Sequence, residues 1–192
     1  YISLVNSPEY VVETTLSIPL GMLIGSCFLF IFILTLPLGI LKAGAISLAS
    51  WFIIAVLFSS LPASGMVVNI LIYIFFTGIL FTILEFGFQI RAMPNSKRSY
   101  TLRTLVLRAL FAGSVVGTTV FISSFAPPRW VGIFSTFPAV LLSTMLILSF
   151  NQGADFAKAT GKVLVLSSSN VVVYIVGVHL TYPLFGVVPG TL

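Results

Sequence analysis

Ionisable side chains are scarce. The 192 residues include four Asp or Glu, nine Lys or Arg and one His, so only 7% are charged. Water-soluble domains carry about a quarter charged residues. A surface this poor in charge cannot be solvated by water, and lipid is the natural solvent. The single cysteine, Cys27, excludes an intrachain disulfide, and with one histidine no Cys/His metal-ligand spacing can form. Cys27 lies in an apolar run and reads as a small packing residue. Four scattered acids and a lone His179 supply no catalytic triad and no acid cluster at one interface, and no nucleotide-binding glycine loop is present. The expectation is a non-enzyme without a cofactor. "YISLVNSPEYVVETTL" lacks the positive n-region of a signal peptide. The net charge of +5 does not point to nucleic acid, because the basic residues punctuate apolar runs and form no basic face.

The chain instead holds long apolar runs, with 58% hydrophobic residues. A spanning helix needs about 20 mostly apolar residues. Six segments qualify: 17–40, 43–62, 66–90, 103–125, 130–150 and 161–184. Pro- and Gly-bearing breakers separate them, at "LPASG", "MPNSKRS", "APPRW" and "NQGADFAKATGK". The runs are continuously apolar, not alternating, which favours helices over a membrane barrel. The predicted fold is therefore an all-α polytopic transmembrane bundle, one membrane domain over 1–192. Before the first span, Ser7, Pro8 and Glu9 have helix-start chemistry. Residues 8–16 read as an interfacial helix or an extension of the first span, with Pro19 at the junction.

Five of the nine basic residues crowd into one stretch, Arg91, Lys97, Arg98, Arg103 and Arg108. Lys and Arg favour cytoplasmic loops. With 91–102 cytoplasmic, Lys42, Lys158 and Lys162 also fall inside and only Arg129 falls outside. Both termini are then extracytoplasmic in a cell (inner) membrane. The bilayer is the first partner, and anionic headgroups on the cytoplasmic side reinforce this orientation at about 1 kcal/mol per basic residue. A homodimer or docking into a membrane complex is compatible with so small a bundle.

The basic loop divides the chain into halves of three helices, 17–90 and 103–192. An odd number per half would invert the second half relative to the first, as in inverted-repeat transporters. Gly21-x-x-x-Gly25 and Gly113-x-x-x-Gly117 begin the respective halves, although such pairs are common packing devices.

The second half carries Arg108-x4-Gly113, then Arg129-x2-Gly132-x5-Pro138-x4-Ser143 within "RWVGIFSTFPAVLLS", then "SSSNVVVYIVGVHLTYPLFG". Over 103–190 it resembles an uncharacterised family of small prokaryotic polytopic inner-membrane proteins of unknown function, distantly similar to GlpM-type proteins. The resemblance implies a polytopic membrane protein. It also implies a further apolar run after "YPLFG", which would make seven helices, the last starting near Val187.

Polar groups inside spans are the functional pointers, because lipid makes them costly. Glu85 is the one acid within a span, a candidate proton or cation site or a structural partner of Arg91 or Arg108. Pro138 lacks an N–H and weakens the fifth span, freeing carbonyls near Phe134 and Ser135. Ser135, Thr136 and Ser143 flank it, and Ser167, Ser168 and Asn170 face it from the sixth. A broken helix opposite a polar run is how transporters build a midplane site. Asn69 and His179 mark outer ends. The expectation is a small ion or solute transporter or channel-like protein, its path between the third, fifth and sixth spans. The alternative is an accessory subunit that packs against partner proteins and transports nothing.

Overall fold

A computed structural model describes residues 8–62, 64–91 and 102–186. It is all-α, without strands among the described residues. The helices are α1 (Pro8–Thr35), α2 (Ile40–Ser60), α3 (Met66–Thr82), α4 (Leu102–Ser123), α5 (Pro128–Phe134), α6 (Ala139–Gln152), α7 (Ala154–Ser167) and α8 (Ser169–Phe185). α3 continues into a π-helical turn, Ile83–Gly87. Residues 1–7, with the expected Ser7 cap, lie outside the description, as do Lys97, Arg98, Tyr100 and the seventh helix near Val187.

Among the described residues, five helical stretches are long and apolar enough to cross a membrane, fewer than the six or seven expected. They are Glu9–Leu38, Ile40–Ser60, Met66–Gly87, Pro128–Gln152 and Ala154–Phe185. The fourth expected span corresponds to α4, which forms but is not among the five. Arg103 and Arg108 lie in its first two turns, ahead of an uncharged stretch from Ala109 to Ser123. Residues 8–16 continue α1 without interruption.

α1 is the most buried of the five spans and organises the rest. Its Ile24, Phe28, Phe32 and Ile33 form the main core with Trp51, Met145 and Val165. α2 presents Ala43, Gly44, Ser47, Trp51, Ala55 and Ser59 as its buried face, at helical spacing of three and four. Small residues on that face let the helices approach closely, which matters where lipid removes the hydrophobic drive between helices. Phe52, Ile53 and Leu57 on α2, and Leu71, Phe75 and Phe76 on α3, stay exposed. A soluble protein rarely exposes apolar side chains so continuously. This helical, apolar exterior is consistent with an integral membrane protein.

Glycines set the closest approaches. A Cβ at Gly132 of α5 would lie 2.5 Å from the Thr14 carbonyl oxygen of α1. A Cβ at Gly21 would collide with the Thr136 side chain. Gly113 and Gly117, by contrast, have nothing within 4 Å among the described residues, so the two Gly-x-x-x-Gly pairs sit in different surroundings.

Side-chain contacts define two ends. At one, the Tyr10 hydroxyl donates to Ala126 O at 2.7 Å, Arg129 Nη2 donates to Phe58 O at 2.7 Å, and Val11, Val131, Val178 and Tyr182 cluster. At the other, Lys162 donates to Glu85 and to Ile90 O.

Candidate functional site

Two of the five spans are broken. Pro138 has no N–H, and it disfavours helical geometry in the residue before it. The ladder therefore tightens ahead of it. Ser135 N still donates to Val131 O, but Thr136 N donates to Ile133 O, Phe137 N to Phe134 O, and Ala139 N to Phe137 O. Phe134 O thus keeps a partner, contrary to expectation. The freed carbonyls are those of Ser135 and Thr136, which accept no hydrogen bond among the described residues. α7 and α8 meet at the second break, around Ser167 and Ser168.

The first break opens onto a pocket of about 350 Å³ between α1, α5–α6 and α8. Ser135 and Thr136 line it with Thr14 and Thr15 of α1. Val11, Ile18, Met22, Ile175 and Val178 make its walls apolar. Thr15 Oγ1 lies 2.9 Å from His179 Nδ1 of α8. Its own proton points at Val12 O, so the imidazole donates from Nδ1. Pro19 adds to the polarity, since its missing N–H deprives the Thr15 carbonyl of its usual helical donor.

The sequence placed the site between the third, fifth and sixth spans. The predicted residues do not converge there. Ser135 and Thr136 line the pocket, and Pro138 creates the break beside it. Ser143 bonds only its own helix, at Val140 O. Ser167 is exposed and bonds Leu164 O, and Asn170 is exposed. Ser168 is engaged elsewhere, because the buried Tyr73 hydroxyl of α3 holds it at 2.7 Å and Ser169 at 3.1 Å. Glu85 lies at the opposite end of the bundle from the pocket's Val11–Tyr182 end. Its partner among the described residues is Lys162 and not Arg91, and the Arg108 side chain lies outside the description. Lys162, expected where the 151–162 connection meets the sixth span, lies on α7, which starts at Ala154 and carries it into the bundle, where it is 6% exposed. Asp155 and Lys158, three residues apart on α7, pair at 3.2 Å. Arg91 and Arg103 are exposed, and Arg108 sits on α4.

Sequence reasoning missed α1. "TTLSIP" contained the signal, two threonines with proline four residues after the second. It also left Asn69 as an entrance residue. Asn69 is 2% exposed and donates to Leu16 O at 2.6 Å, tying α3 to α1.

Residues 105–184 match the model of a family described as a protein of unknown function, DUF3147. The match falls within the second half and runs from α4 through most of α8, including both breaks. Its description makes no reference to GlpM-type proteins. No curated protein and no solved structure matches the chain.

Proposed function

We propose that the chain is an integral membrane protein that moves a small ion or solute, binding it in the pocket between α1, the α5–α6 break and α8. One observation carries this reading. The Ser135 and Thr136 carbonyls lack partners at a proline break that lines a pocket. Unpaired backbone groups at membrane depth are tolerated where they line a cavity or meet a ligand. The end bearing Glu85, Arg91, Lys158 and Lys162 is assigned to the cytoplasm by its basic character. The pocket then lies in the outer half of the bundle, reaching the level of Gly21 and Thr136.

Flux measurements on purified protein in liposomes, over a panel of ions and small solutes, test the proposal. Transport that falls with Thr136→Val supports it. No flux across the panel, together with a stable partner on gentle purification, supports the accessory-subunit reading. Gly113 and Gly117 favour that second reading specifically, because their small faces meet nothing within 4 Å and could receive a partner helix.

A further inference from the structure

The hydroxyls of the pocket have a common orientation. A Ser or Thr hydroxyl has one proton to donate and two lone pairs to offer. Here Thr14 donates its proton to Tyr10 O at 2.8 Å, Thr15 to Val12 O, Ser135 to Gly132 O at 2.8 Å and Thr136 to Ile133 O at 2.6 Å. Every Ser or Thr proton in the lining is thus committed to the backbone. The N–H groups of Ser135, Thr136 and Phe137 are committed as well. What remains for an occupant is lone pairs, on four hydroxyl oxygens and on the carbonyls of the break. The other hydroxyls among the described lining residues are those of Tyr174 and Tyr182. Such a pocket can accept hydrogen bonds and has little with which to donate them.

Its approach has the matching sign. A second recess shares Tyr182 with the pocket and is lined by Glu9 and Glu13, one turn apart on α1. The acids line this adjoining recess, and two of the acceptors, Thr14 and Thr15, follow Glu13 directly along α1, facing Ser135 and Thr136 of the α5–α6 break. The walls between are apolar, which an inorganic ion with a tight hydration shell would not use. An anion would meet carboxylates at the entrance and lone pairs inside.

We infer that the pocket takes a small organic cation, an ammonium group on an apolar body, with the N–H groups held by the acceptor oxygens of Thr14, Thr15, Ser135 and Thr136. This inference rests on the reading of that pocket as the solute site.

The test is equilibrium dialysis of the purified full chain against three probes of similar shape: benzylammonium, benzyl alcohol and phenylacetate. Benzylammonium is retained, and the alcohol and the carboxylate are retained at least about tenfold less, the loss expected when a charge-assisted hydrogen bond is missing. Thr136→Val keeps the side-chain shape and removes the lone pairs, and it weakens benzylammonium about tenfold. Ser135→Ala serves the same purpose if Thr136→Val fails to fold. Glu9→Gln with Glu13→Gln reduces binding at low salt more than at high salt. Equal retention of all three probes, preference for phenylacetate, or no retention of any probe overturns the cation assignment. Flux in liposomes separates this from the transport reading. Binding of benzylammonium without flux removes transport and keeps the cation class, whereas flux of anions or neutral solutes alone does the reverse.

Discussion

Gly132→Ala probes the contact that holds the pocket together. A Cβ there would sit 2.5 Å from Thr14 O and 2.9 Å from Ser17 Cβ, whereas ordinary contact begins at 3.4 Å. Neither neighbour can rotate away, because one is backbone inside α1 and the other is anchored directly to it. α5 must therefore retreat from α1 by about 1 Å, losing packing along the shared face. Overpacking of this kind costs about 1–3 kcal/mol. Alanine recovers about 1 kcal/mol of helix propensity relative to glycine. The net is a loss of up to about 2 kcal/mol, or up to roughly 8 °C in a chain of this size, and about 1–3 kcal/mol relative to a glycine-to-alanine change in open space. Thermal unfolding in detergent, followed with a thiol-reactive dye at the single cysteine Cys27, reads the change. Gly177→Ala is the control, since nothing lies within 4 Å of that position, and it should melt at or slightly above the parent. If Gly132→Ala melts together with Gly177→Ala, the close α1–α5 approach is wrong, and the pocket built on it is wrong too.

Glu85→Gln removes the countercharge of the buried Lys162 ammonium, leaving it only the neutral acceptors of Gln and Ile90 O, and should lower stability by about 2–3 kcal/mol, at or below the range for breaking a buried pair because the Glu85 side chain is 38% exposed. Adding Lys162→Met should restore most of that loss in thermal melts, and a double variant weaker than Glu85→Gln would contradict the pairing. Tyr73→Phe removes the hydroxyl that joins α3 to Ser168 and Ser169, and should cost about 1 kcal/mol. Its second readout is faster amide exchange at the α7–α8 junction, and unchanged exchange there would show that Tyr73 does not hold the break. Asn69→Leu removes the tie to Leu16 O and takes away the acceptor of the Ser64 hydroxyl, and should cost about 1–3 kcal/mol in the same melts. A neutral result would mean that water replaces the amide.

Composition made the fold class legible, because 7% charge cannot coat a water-facing surface. The breakers were legible too. Pro138 is where the fifth span divides, since a missing N–H acts locally and needs no partner. The helix limits were less so. "GADFAKATGK" reads as a connection with at most a short cytoplasmic helix, yet it begins α7, whose Ala157, Ala159 and Gly161 are buried. The inner ion pair shows why the candidate site was harder. Glu85 was visible as an acid in a span, but Lys162 lies 77 positions away and only packing of α3 against α7 brings them together.

The sequence by itself determined that the chain is helical and apolar enough for a membrane, and that the fifth span weakens at Pro138, because backbone hydrogen bonding and solvation depend on nearby residues. Only the tertiary structure decided which faces meet. It placed the threonines of α1, not the polar run "SSSN", against the Pro138 break. Close approach at Gly132 and Gly21 selects that neighbour, and such complementarity exists only once two helices are in contact.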